Sequence, residues 1–145
     1  MKTLRIGING FGRIGRSLTR VIRKFPNIEL VAINDLAEAE NLAHLLKYDT
    51  VHGHFPDEVK YIDGKLSIDG KVISVFHEME PADIPWASVG VDIVIEATGR
   101  FKTTDLTIGH IKAGAKKVII SAPATDDTKT IVLGANDDEL SADDI

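Results

Sequence analysis

Ile6-Gly7-Ile8-Asn9-Gly10-Phe11-Gly12-Arg13-Ile14-Gly15 decides the fold, because Asp35 follows it at the end of a second apolar run. Leu4 to Asn9 reads as a buried strand, and the glycines mark the turn out of it. The next segment places Ile14, Leu18, Val21, Ile22 and Phe25 at helical spacing, with Arg16, Arg20, Arg23 and Lys24 on the other face. Pro26-Asn27 ends that helix. Ile28 to Ile33 then forms a second strand running into Asn34-Asp35. Strand, glycine turn, helix, strand and acid make one unit of about thirty residues, the pattern that holds a dinucleotide. Gly10 permits the tight turn, and Gly12 lets backbone amides approach a pyrophosphate. Gly15 lets the helix pack closely on the sheet, and the helix's positive end near Arg13 faces the phosphates. The competing reading is a plain turn between core elements, and the placement of Asp35 argues against it.

Working outward, a helix is expected from Glu38 to Lys47, burying Leu42, Leu45 and Leu46. Val59 to Ile62, Lys65 to Ile68 and Lys71 to Phe76 alternate partially, separated by Asp63-Gly64 and Asp69-Gly70. Two-residue Asp-Gly links are hairpin signals, so these stretches predict an antiparallel meander on the edge of the main sheet. Val91 to Ala97, rich in valine and isoleucine, suits a strand covered on both faces. Thr98-Gly99-Arg100-Phe101 leads into a helix from Thr104 to Ala113, which Gly114 stops. Lys117 to Ser121 and Thr130 to Leu133 are expected as two further strands. Strands alternating with helices predict an α/β fold. Its doubly wound parallel sheet is Rossmann-type, with the antiparallel meander inserted between the two halves.

Composition narrows the function classes. The chain's 145 residues fit one domain with a sizeable core, and 43% hydrophobic with 27% charged content is ordinary for a soluble globular protein. A net charge of -5 gives no electrostatic drive toward nucleic acid or anionic membranes. No apolar run reaches the roughly 18 residues of a membrane helix, and no signal-peptide pattern opens the chain. There is no cysteine, hence no disulfide, thiol nucleophile or cysteine metal site, and a cytoplasmic setting is the default. His44, His52 and His54 lack a carboxylate or cysteine at a familiar ligand spacing, so no metal site is expected. His44 reads as a helix residue, and the His52-Gly53-His54 loop as a domain or subunit contact.

Longer strings carry a family likeness. Asn9-Gly10-Phe11-Gly12-Arg13-Ile14-Gly15-Arg16 resembles the opening of phosphorylating glyceraldehyde-3-phosphate dehydrogenases. So do Ile33-Asn34-Asp35-Leu36, the segment from His44 to Gly53, Glu96-Ala97-Thr98-Gly99-Arg100-Phe101, and the segment from Lys116 to Ala124. The likeness runs in order over the whole chain. It implies NAD as cofactor, and that residues 1–145 are the NAD-binding domain without the catalytic domain. The nucleophilic cysteine, its histidine base and most phosphate-binding groups are expected in that second domain. No catalytic residue is therefore expected here, and the chain alone should bind NAD without turnover. The expected partners are NAD, the missing catalytic domain and, for the parent enzyme, copies of itself in a homotetramer. Two alternatives stay open: the cofactor domain of an erythrose-4-phosphate dehydrogenase, and a dinucleotide-binding module without catalysis.

The resemblance also assigns roles to single residues. The backbone amides of Arg13 and Ile14 face the pyrophosphate; otherwise Arg13 is a surface charge and Ile14 a core residue. Asp35 accepts hydrogen bonds from the adenosine ribose, and its charge repels a 2′-phosphate, favouring NAD over NADP. Its alternative role is to cap the following helix. Asn34 supports the adenine side, and Asn9 joins it in the candidate cofactor set with Gly10 and Gly12. Met79 stands where many family members carry a basic residue beside the adenine, and it either offers a soft apolar surface there or faces no ligand. Thr98 and Gly99 line the nicotinamide end with Phe101 nearby, unless they only leave the sheet. Ser121 touches the cofactor or serves as a turn before Pro123.

Overall fold

A central strand, β1 (Leu4–Asn9), organises the computed structural model, which describes residues 3–144. The glycine turn leads from it into α1 (Arg13–Ile22), and β2 (Ile28–Asn34) returns parallel to β1. After α2 (Ala39–Lys47) comes a small hairpin of β3 (Tyr48–Asp49) and β4 (Gly53–His54). The meander follows as β5 (Val59–Ile62), β6 (Lys65–Ile68) and β7 (Lys71–Phe76). Last come β8 (Ile93–Glu96), α3 (Thr104–Lys112) and β9 (Lys117–Ile120).

The strands form one seven-stranded sheet in the order β5-β6-β7-β2-β1-β8-β9. From β7 to β9 all pairings are parallel, whereas β5, β6 and β7 pair antiparallel. The fold is the expected α/β doubly wound type, and β7 is shared between meander and parallel sheet. Both meander turns use the left-handed region, with φ of 47° at Asp63 and 49° at Asp69, as two-residue Asp-Gly turns require. Chain order reverses between β1 and β8, so a crevice opens at the carboxyl ends of those strands.

Alternation along β1 sends Ile6 and Ile8 into one core layer and Gly7 toward the other. The first layer joins these isoleucines to Ile33, Leu42, Leu46, Leu66 and Ile73; the second gathers Trp86, Ile84, Val94 and Ala115. Gly7 admits the Trp86 ring, since a Cβ there would lie 2.8 Å from Trp86 Cζ3. Opposite it, Ile6 pairs with Leu30 and Gly7 with Ala32, leaving Val31 as a bulge. Val31 and Ala32 consequently share the Trp86 layer.

Three expectations need correction. The buried stripe of α1 is Gly15, Thr19 and Ile22, while Ile14 (52% exposed), Val21 and Phe25 face out. Helix and sheet approach too closely for a large side chain at position 15, so the contact line runs through small residues. Thr19 settles in it by returning its hydroxyl to Gly15 O at 3.0 Å. On α2 the buried line is Ala39, Leu42, Ala43 and Leu46, and Leu45 lies just off it. Thr130 to Leu133 is not a strand. Asn136 accepts from Val132 N at 2.7 Å and donates to Thr130 O at 3.0 Å, occupying backbone groups that a ladder needs.

Candidate functional site

The crevice begins at the glycine turn. Gly10 has φ of 93° and sits so close to β8's exit that a Cβ would lie 2.8 Å from Thr98 N. A Cβ on Gly15 would overlap the Gly10 carbonyl oxygen, whereas nothing lies within 4 Å of a Cβ built on Gly12. The three glycines thus divide the work as the spacing implies: turn, open approach, close packing. Gly12 is the N-cap of α1; no side chain caps the helix and no acid stands in its first turn. The first-turn amides, those of Arg13 and Ile14 among them, therefore point outward with the positive end of the helix dipole behind them. Open space above unclaimed donors fits a pyrophosphate. Arg13 and Ile14 are both exposed, so Ile14 is no core residue. Arg16 braces the turn by donating to Phe11 O at 2.9 Å.

Asp35 closes the same end. Its Oδ2 accepts from Phe11 N at 2.8 Å and its Oδ1 from Ala37 N at 2.9 Å. The N-cap of α2 is Glu38, so Asp35 does not cap that helix. An ionised carboxylate has about four acceptor positions; these two bonds fix its plane and leave the others for hydroxyls. Backbone contacts hold it from behind, from Asp35 N to Phe76 O (3.0 Å) and from His77 Nδ1 to Asp35 O (2.8 Å).

Asn34, buried beside it, clamps Glu78 twice, donating to its carbonyl at 2.9 Å and accepting from its amide at 2.9 Å. Met79 follows that clamp and is 63% exposed. Asn34 also donates to Asn9 Oδ1 at 2.8 Å, and Asn9 Nδ2 donates to Glu96 Oε2 at 2.6 Å. The other Glu96 oxygen accepts from Thr98 N at 2.9 Å and from Thr98 Oγ1. Ser121 donates both its amide (3.0 Å) and its hydroxyl (2.9 Å) to the Glu96 carbonyl. Thr98 and Ser121 are therefore side by side, and Gly99, with φ of 73°, turns the chain away. Phe101 is half-buried, with the Arg100 guanidinium 5.7 Å from its ring. A separate cleft of about 770 Å³ between α3, β9 and the 122–131 segment meets this site only at Ser121.

The structure thus brings together Asn9, Gly10, Gly12, Arg13, Ile14, Asn34, Asp35, Thr98, Gly99 and Ser121 along the ends of adjacent strands, with Met79 one residue beyond the Asn34–Glu78 clamp and Phe101 two beyond Gly99. A family model described as glyceraldehyde 3-phosphate dehydrogenase, NAD binding domain, matches residues 4–104. The chain belongs to that family.

Glyceraldehyde-3-phosphate dehydrogenases are its curated relatives. The enzyme of Thermotoga maritima is 54% identical over 138 residues, covering 94% of this chain and 41% of the relative. That of Geobacillus stearothermophilus is 52% identical over 136 residues (94% and 41%), and that of Salmonella typhimurium 50% over 143 (99% and 43%). The chain spans about two fifths of the length of these relatives. NAD is the cofactor of the family's domain.

The histidines of the β3–β4 region have protein partners. Tyr48 lies between the His44 and His54 rings, each 4.9 Å away, and His52 Nδ1 is 3.2 Å from Asp49 Oδ1. Among the described residues no three metal-ligating side chains gather, and no helix is long and apolar enough to cross a membrane. Sequence reasoning missed Glu96, His110 and Trp86, all fully buried around the crevice floor. One signal was available: Glu96 is a lone acid closing an otherwise apolar strand, Ile93-Val94-Ile95-Glu96. A buried acid there requires partners.

Proposed function

We propose that this chain is the NAD-binding domain, residues 1–145, of a phosphorylating glyceraldehyde-3-phosphate dehydrogenase, and that it binds and orients NAD without catalysing turnover itself. The parent enzyme in this reading is a cytoplasmic homotetramer that converts glyceraldehyde 3-phosphate to 1,3-bisphosphoglycerate. Its nucleophile comes from a catalytic domain outside these residues, consistent with the absence of cysteine. Bound NAD supplies the hydride acceptor. The residues assigned to it are Asn9, Gly10, Gly12, Arg13, Ile14, Asn34, Asp35, Met79, Thr98, Gly99, Phe101 and Ser121.

One observation carries the reading: Asp35 is locked by Phe11 N and Ala37 N with acceptor positions to spare, beside the uncapped start of α1. The open turn over Gly12 takes the pyrophosphate, and Asp35 takes the ribose diol and repels a 2′-phosphate. Thr98 and Ser121, close together past the switch point, face the nicotinamide end. Calorimetric titration of the chain with NAD and NADP tests this. Saturable NAD binding is expected, with NADP at least about tenfold weaker, the scale of lost hydrogen bonds to a charged group. Asp35→Asn should weaken NAD by a similar factor and narrow the gap to NADP. A folded chain that binds neither dinucleotide overturns the reading.

A further inference from the structure

We infer that Glu96 is a positioning residue for the nicotinamide end of the cofactor site, oriented from behind by His110 and Trp86. The inference rests on the NAD-binding reading above. An indole N–H can only donate. Trp86 Nε1 donates to His110 Nδ1 at 3.0 Å, so Nδ1 carries no proton and the proton sits on Nε2. That Nε2–H donates to Glu96 Oε2 at 2.9 Å, where Asn9 Nδ2 also donates. Oε1 takes the Thr98 amide and hydroxyl. Four donors meet the four lone-pair positions of an ionised carboxylate, and all four partners are neutral. Both Glu96 oxygens are thus fully engaged at 1% exposure, and the His110 ring, at 0%, is held in one tautomer.

Burying a carboxyl group this deeply is costly without such partners, and three of its four bonds go to Thr98 and His110. Thr98 depends on Glu96 for both its amide and its hydroxyl, and Ser121 hangs on the Glu96 carbonyl. The adenine side is nearly independent of it. Asn34 keeps two bonds to Glu78 and loses only support relayed through Asn9. His110 and Trp86 touch neither Thr98 nor Ser121 through any of these bonds, yet they fix the carboxylate that does. Their polarity runs one way, from indole to imidazole to carboxylate, so replacing any donor by an acceptor misaligns Thr98.

The test compares NAD with ADP-ribose, which lacks only the nicotinamide ring. Wild type, Glu96→Gln, His110→Ala and His110→Gln are titrated calorimetrically at a temperature where thermal melts show each folded. The ratio of the ADP-ribose Kd to the NAD Kd isolates the nicotinamide end. Glu96→Gln and His110→Ala are expected to lower that ratio by roughly threefold or more, the scale of one lost hydrogen bond. His110→Gln offers a carbonyl to Trp86 and an N–H to Glu96, and should keep the ratio. An unchanged ratio in folded Glu96→Gln and His110→Ala overturns the inference and leaves the network a stability role alone. A wild-type ratio near one overturns it too. Should Glu96→Gln fail to fold, the two His110 variants decide. A wild-type chain that binds neither ligand instead removes the NAD-binding reading beneath the inference.

Discussion

At the glycine-turn end of the crevice the deciding contacts are short in sequence: Phe11 reaches Asp35 across 24 positions, and Gly15 packs on Gly10. At the end carrying Thr98 and Ser121, Asn9 reaches Glu96 across 87 positions, and Trp86 and His110 enter from separate elements. The first end works by space, because glycines leave room where any side chain would collide or cover a donor. The second works by matched donors and acceptors around one buried carboxyl group. Each end should therefore fail to a different kind of substitution, volume at one and polarity at the other.

The largest effect expected is Gly15→Val. Its side chain would overlap the Gly10 carbonyl, and backbone cannot yield as a side chain tip can. A loss of about 3 kcal/mol, the upper range of overpacking costs, should appear in urea unfolding, with NAD binding lost alongside. Trp86→Phe comes next and attacks the other end by polarity. It leaves His110 Nδ1 buried without its donor, at a cost of about 1–3 kcal/mol in the same assay. If Trp86→Phe proves as mild as a surface change, the matched network is not what holds that end.

Two acid-sensitive contacts lie at neither end. Arg23 hydrogen-bonds Asp57 and holds its carboxyl below the usual range, and the His52 and Val51 amides bring Asp49 down to about 2. Both native pKa values lie under the unfolded value of about 3.9, so the unfolded chain binds more protons between them. Their stabilisation is present above about pH 4 and lost as pH falls, for Asp49 through about 2. The Arg23–Asp57 pair is partly exposed and solvent screening keeps its contribution small. Urea midpoints between pH 6 and pH 2.5 should therefore decline gently, with the drop confined below pH 4. The smallest effect belongs to Leu133→Ser, at a side chain 88% exposed: within about 0.5 kcal/mol of wild type by thermal melting.

The same contrast governs what the sequence made legible. The first βαβ unit, the meander and the α/β class follow from periodicity, glycine spacing and Asp-Gly turns, which are local signals. The start of α1 at Arg13 and the end of β2 at Asn34, with Asp35 just beyond it, were legible for that reason. The α1 contact line was not, because Gly15 moves the helix so near the sheet that Thr19 displaces Ile14 and Val21 from the interior. Thr130 to Leu133 has the apolar content of a strand. Whether it becomes one depends on a neighbour, and Asn136 claims its backbone first. Glu96, His110 and Trp86 carry no mutual spacing that a linear reading can detect.

The parallel pairing of β1 with β8 sets an order on synthesis. β1 emerges first, but Asn9 meets Glu96 only after 87 further residues are made. At about 5–20 residues per second, that is roughly 4–17 s in which one edge of the middle strand of the parallel run β7-β2-β1-β8-β9 has no partner. In that interval the β1–α1–β2 unit and the meander can form from nearby contacts, and the sheet closes last across the floor of the crevice.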